Sequence, residues 1–191
     1  MIKAIKVLLF FIFLAVTALV GFVYSGVYDI AADSPHHAIT HWMLHTTMER
    51  SVARRATQIN VPDNLNDAAL IRSGAEHYGA MCVDCHMAPG RASSELREGL
   101  NPQPPELAYE VADKTPAALF WITKHGVKMS AMPAWGKTHT DTDIWAMVAF
   151  MQKLPRMTPA QFNALTEKPA GREAAHEHGD HRHGTDGKKA E

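Results

Sequence analysis

The sequence predicts an all-α protein, a helical domain carried behind one membrane-spanning helix. Three observations lead there. The run 7–24 is eighteen residues long and holds no charge. Beyond it, apolar residues recur at three- and four-residue spacing and nowhere alternate with period two, so no sheet is indicated. Long Pro- and Gly-rich segments separate the helical stretches and leave a domain of about ninety residues short of apolar core. Something else must fill its middle. The 191 residues are 46% hydrophobic and 20% charged, which excludes wholesale disorder. Nineteen Lys+Arg against twenty Asp+Glu give a net charge of -1, so no global basic field exists to hold nucleic acid. Two cysteines exclude a multi-disulfide scaffold and a four-Cys zinc ribbon.

Residues 1–30 read as the anchor. A helix over 7–24 reaches ~27 Å, close to the hydrocarbon thickness of a bilayer. A cleaved signal peptide has a shorter apolar stretch of about 7–15 residues and a small-residue cleavage site. Here the stretch is longer and Val23-Tyr24-Ser25 suits cleavage poorly, so a retained span is expected. Lys3 and Lys6 then stay in the cytoplasm, and the rest of the chain crosses to the extracytoplasmic side. Residues 31–64 read as an amphipathic connecting helix or linker, opened by Ser34 and Pro35. Its stripe is Ile39, Trp42, Met48, Val52 and Ile59, with Arg50, Arg54 and Arg55 on the polar side. Such a helix packs as a spacer on the next domain or lies on the membrane surface. His37, His41 and His45 share one face of it at i, i+4, i+8, a spacing that suits either metal or a solvated surface.

Residues 65–157 read as the functional domain. Asn66 is an N-cap, with Asp67 in the first turn, and Leu70, Gly74 and Tyr78 follow at i+4 steps. Residues 88–113 read as loop. Thr115-Pro116 opens a short helix through Lys124, with Gly126 past its end. Residues 127–139 form a second loop. Thr140 with Asp143 makes a capping box, and Ile144, Met147, Val148, Met151 and Leu154 are the stripe of a last helix stopped by Pro155. Residues 158–166 form a short helical extension.

The chemistry sits at Cys82-Val83-Asp84-Cys85-His86. Cys-x-x-Cys-His is the attachment signature of c-type haem. One helical turn brings both sulfurs to one side, where each forms a thioether with a haem vinyl group. The next residue, His86, directs its imidazole at iron. Zinc at Cys82, Cys85 and His86 lacks a fourth ligand, and a thioredoxin-like disulfide lacks its βαβ context. A plain disulfide leaves His86 unexplained. One covalently bound haem c also supplies the missing core.

Over residues 66–154, about half its length, the chain resembles the class I cytochrome c family. Four features carry the likeness: Gly74-x-x-x-Tyr78 with Met147 and Phe150, the Cys82–His86 motif, Pro105-Glu106-Leu107, and Met132-Pro133-Ala134-Trp135. Residues 124–135 look especially like membrane-anchored bacterial members. The resemblance implies that the two terminal helices cross closely at Gly74. It implies that the Pro105 carbonyl accepts the outer proton of the axial His86, with Pro104 as a neighbouring alternative. It implies that Met132 is the sixth ligand and that Leu107 and Trp135 line the pocket. Met129 competes for that position but lacks a following proline; His125 and His139 are further competitors. Tyr109 and Arg97 are candidate partners of the haem propionates.

A thioether opposite an imidazole closes both axial positions and raises the potential. The expected function is therefore an electron carrier and not an enzyme, single-pass in the bacterial inner membrane, with its haem domain on the periplasmic side. It exchanges electrons with redox proteins of the membrane or periplasm. The alternatives are a haem subunit of a larger oxidoreductase complex, and a haem protein with a metal-sensing tail. That tail, residues 167–191, reads as disordered, with His176, His178, His181 and His183 forming a ligand-rich tract for a divalent metal.

Overall fold

The computed structural model describes residues 1–166. The expectations for 167–191, including His176, His178, His181 and His183, lie outside the described residues. No strand occurs among the described residues.

Helix α1 (Ile2–Ser25) buries none of its side chains and is long and apolar enough to cross a membrane. It ends at Gly26, whose positive φ of 65° releases the chain. Helix α2 (Ala38–Ala56) starts later than Ser34 and Pro35 foretold. The Ser34 N–H closes a turn on the Ala31 carbonyl, and the Tyr28 hydroxyl lies 3.3 Å from His36 Nδ1 and 3.4 Å from Thr40 Oγ1, so residues 28–36 are held as a bend.

The expected stripe of α2 divides. Val52 is buried and Met48 half-buried, whereas Ile39 and Trp42 are 62% and 60% exposed. At 3.6 residues per turn Ile39 lies about 140° round the helix from Val52, too far to share its partner. Arg55, expected on the polar side, instead lies over the Trp121 ring at 5.6 Å. The three histidines do not act together. His41 and His45 stack at 5.7 Å, while His37 packs edge-on against Tyr28. No cluster of three metal-binding groups occurs among the described residues.

Helix α3 (Ala68–Met81) is capped by Asp67, whose carboxylate accepts from the N–H groups of Ala69 and Leu70. Asn66, the expected cap, accepts instead from Lys153 Nζ at 2.6 Å. The haem-motif turn is the one-turn helix α4 (Val83–His86), and the stretch expected as loop, residues 88–113, contains the one-turn helices α5 (Glu95–Glu98) and α6 (Leu107–Glu110). Helix α7 (Pro116–His125) has Thr115 as its N-cap and Gly126 as its C-cap, and a 3₁₀ turn (Trp135–Lys137) lies in the second loop. Helix α8 (Asp141–Met151) opens on the Thr140/Asp143 capping box. It stops at Met151, before Pro155, which sits inside a 3₁₀ turn (Leu154–Arg156). Helix α9 (Pro159–Thr166) ends the described chain.

The core forms where α3 crosses α8. Gly74 is buried there, and a β-carbon on it would lie 1.9 Å from the Ala146 carbonyl oxygen. One turn on, the buried Tyr78 ring packs 5.2 Å from Phe150 and 6.2 Å from Phe162 of α9. The expected extension is thus folded onto α3. The Tyr78 hydroxyl donates to the carbonyl of Met87 at 2.7 Å. Met87 is buried and holds φ 62°, ψ 179°, a backbone region that side chains disfavour.

Three outcomes follow from this packing. Gly74→Ala should cost about 3 kcal/mol or more, because the contact is with backbone and the helices must separate. Gly99→Ala, where the nearest atom is 3.7 Å away, should change stability little. Denaturant titration of the two variants reads the difference. In the same assay Tyr78→Phe should cost about 1–3 kcal/mol with an unchanged m-value, since packing survives and only the buried Met87 carbonyl loses its donor. Asp143 is held below the usual carboxylate range by its hydrogen bonds from the Thr140 hydroxyl and N–H, with His77 and His139 adding to the effect. A depressed carboxylate contributes stability that is complete above the unfolded-state value and is lost as pH falls through the folded-state value. Asp143→Ala should therefore lower stability by about 1 kcal/mol at neutral pH, and the gap to wild type should narrow as the pH falls below the usual carboxylate range.

Candidate haem site

The site begins at the end of α3. Cys82 donates its N–H to the Tyr78 carbonyl and so finishes α3, and it is also the first residue of the next turn. His86 and Cys85 donate back to the Cys82 carbonyl at 2.8 and 3.1 Å. This single turn, α4, sets Cys82 and Cys85 on one side of the backbone, with His86 directly after. Both thiols are free and half-buried. Burial, helped by Cys85, pushes the Cys82 thiol up to about 12, and Cys85 is raised by burial and by Asp84. Both groups therefore stay neutral at physiological pH.

His86 is half-buried, and its Nδ1 lies 2.9 Å from the Pro105 carbonyl oxygen. A carbonyl only accepts, so Nδ1 carries the proton and Nε2 keeps its lone pair. Burial lowers the imidazole pKa, and the Arg97 charge lowers it further; the Pro105 bond and Glu110 oppose them. The result is a neutral ring with one nitrogen free to ligate.

Of the two adjacent prolines it is Pro105 that meets His86. The Pro104 carbonyl accepts instead from Arg97 Nε at 3.2 Å, and the Arg97 guanidinium also pairs with Glu106 at 3.4 Å. Arg97, a candidate propionate partner by sequence, is thus engaged in bracing the loop that carries Pro105. Ser94 caps α5, donates its hydroxyl to the Asp84 carbonyl, and so ties this loop to α4. Neither the Arg97 brace nor the Met87 conformation had a signal in the sequence. Tyr109 stands in solvent at 76% exposure, and Leu107 packs partly buried against the core.

The second loop turns back at Gly126. This glycine is buried with φ 65°, and a β-carbon on it would meet the Met132 carbonyl oxygen at 2.6 Å. The Val127 N–H donates to that same oxygen at 3.2 Å. Inside the closed loop Ser130 Oγ donates to the Val127 carbonyl and accepts from the Met132 N–H. Met132 is half-buried at the base, while Met129 occupies the tip at φ 60° and 82% exposure. Trp135 follows in the 3₁₀ turn and packs on the core. The competing histidines are engaged elsewhere. His125 is exposed beside Trp121, and His139 lies against Trp135 and His77 with its Nδ1 on Thr138 Oγ1.

The donor set fits a covalently held haem. It consists of two free thiols one turn apart, an imidazole held by a carbonyl so that Nε2 stays bare, and thioether sulfur on the second loop.

Comparison with known proteins points the same way. Residues 69–151 match the family described as Cytochrome C oxidase, cbb3-type, subunit III. The matched span runs from the first turn of α3 to the end of α8, and so includes Cys82–His86, the Pro105 loop and the Met132 loop. No curated protein and no solved structure matches the chain. The α3/α8 crossing, the haem-attachment turn and the family match agree: residues 69–151 are a class I, mono-haem cytochrome c domain of the cbb3 type, with covalently bound haem c.

Proposed function

We propose that the chain is a membrane-anchored cytochrome that carries single electrons between redox proteins of the membrane or periplasm. Residues 1–30 anchor it, residues 31–64 connect, and residues 65–157 carry the haem, with 158–166 packed behind. Lys3 and Lys6 keep the N-terminus in the cytoplasm and place the haem domain on the periplasmic face of the inner membrane. The apolar, wholly exposed surface of α1 supports the membrane span.

Cys82 and Cys85 would supply the thioether sulfurs that hold the haem, and His86 Nε2 and the Met132 sulfur would be the protein ligands of its iron. When bound, the haem iron supplies a one-electron couple. The Pro105 carbonyl fixes the imidazole through Nδ1 and raises its basicity, as outer partners of metal-bound histidines do. Met132 would supply the second protein ligand, and a thioether there would raise the potential. Leu107 and Trp135 would exclude water from the pocket. With both ligands supplied by the protein, the iron would suit one-electron transfer. The observation that carries this reading is the 2.9 Å pairing of His86 Nδ1 with the Pro105 carbonyl, on the residue that follows the cysteine pair.

A second reading, a haem subunit of a larger oxidase, draws on the description of the matched family. Purification from membranes in mild detergent separates the two. A carrier emerges alone, whereas a subunit brings oxidase activity with it.

Met132→Ala should abolish the weak near-infrared-edge band of the oxidised protein, lower the potential and open the iron to carbon monoxide. Met129→Ala should leave all three unchanged. Absorption spectroscopy and redox titration check both. Loss of the band in Met129→Ala moves the ligand to Met129, and carbon monoxide binding by the wild-type protein removes the carrier reading.

A further inference from the structure

Helix α2 has two faces, and among the described residues only one is covered. The inner face buries Val52 and lays Arg55 over Trp121, while Glu49 pairs with Lys114 at 2.7 Å. The outer face carries Ile39, Trp42 and Met43 in its first half, each more than half exposed, and the exposed Arg50 and Arg54 in its second half. At 3.6 residues per turn these five side chains fall within an arc of about 120°. Large apolar groups followed by arginines on one outward stripe do not suit a helix facing only water.

The apolar half also has a defined place. The Tyr28 ring lies 6.4 Å from Phe22 near the end of α1 and 5.8 Å from His37 at the start of α2, and its hydroxyl reaches His36 and Thr40. Asn101 Nδ2 donates to the Ser34 carbonyl at 2.9 Å and ties the bend to the haem domain. The exposed Ile39, Trp42 and Met43 therefore begin beside the point where α1 leaves the bilayer. We infer that the outer face of α2 lies on the membrane that α1 crosses. Ile39, Trp42 and Met43 enter the interfacial layer, where indole rings concentrate, and Arg50 and Arg54 pair with anionic headgroups. The haem domain is then held in one attitude to the membrane and does not swing on a linker. This inference rests on the reading of α1 as a membrane anchor.

Hydroxyl-radical footprinting of the full haem-loaded chain in vesicles of phosphatidylcholine and phosphatidylglycerol tests it, with oxidation read residue by residue by mass spectrometry. Met129, 82% exposed at its loop tip, is the internal standard for Met43, 56% exposed. Met43 should oxidise at least about fivefold more slowly than Met129 if lipid covers it. Arg50→Glu with Arg54→Glu should bring Met43 and Trp42 back toward the Met129 rate while α1 stays protected. Met43 labelled as fast as Met129, with Phe10, Phe11 and Phe13 protected, overturns the inference and leaves the anchor intact. Labelling of those phenylalanines overturns the anchor as well. Protection of Met43 that vanishes below one chain per vesicle assigns the face to a second copy and also overturns the inference.

Discussion

At the crossing of α3 and α8 two backbones approach so closely that residue 74 has no room for a side chain, since the carbonyl of Ala146 occupies the place. The rest of the haem domain is referred to this contact. It lets Tyr78, one turn further along α3, reach Phe150 and Phe162 in the middle of the core. One more turn along the same helix lies Cys82, so the haem-attachment turn starts at a fixed distance from the most closely packed part of the protein. Tyr78 works at both levels: its ring fills the core, and its hydroxyl holds the Met87 carbonyl where the chain leaves the turn. Burial pushes that hydroxyl well above its usual range, so it remains a donor at any physiological pH.

The loops bearing Pro105 and Met132 are stiffened by different means. The loop bearing Pro105 depends on charge and side-chain hydrogen bonds, through Arg97 with Pro104 and Glu106; nearby, Arg91 pairs with Asp84 at 3.0 Å. The loop bearing Met132 depends on backbone and one hydroxyl, with a buried glycine at its base and Ser130 bridging its interior. Arg97 is nearly buried, so its bonds are weakly screened by salt, whereas the Arg91 pair stands in solvent and contributes little. A domain with long loops keeps Pro105 and Met132 in place because each loop is closed near that residue.

Most of this was legible where the signal is local. Thr115-Pro116, Gly126 and the Thr140/Asp143 box mark helix ends by backbone chemistry that needs no distant partner, and the helices begin and end there. The haem-attachment motif is likewise five consecutive residues. What was not legible depends on contacts across the chain. Asn66 and Asp67 are equally good caps by type, and only the reach of Lys153 to Asn66 decides between them. The resemblance points to Pro105 with Pro104 as the alternative, and the contacts of Arg97 with the Pro104 carbonyl and of His86 with the Pro105 carbonyl separate them. Ile39 and Trp42 were counted into a stripe whose inward direction the sequence alone does not define. The one-turn helices α5 and α6 are too short for any periodicity to register.

Helix α9 bears on where the domain ends as a physical object. The family match ends at residue 151, but the apolar surface does not, because Phe162 lies 6.1 Å from Phe150 and covers Tyr78, and Thr166 rests against Gly79. A fragment cut at the edge of the resemblance would uncover aromatic rings at the centre of the fold. Uncovered rings of that kind drive self-association. For recombinant work the cytochrome domain should therefore keep α9, which packs on the core beyond the end of the family match.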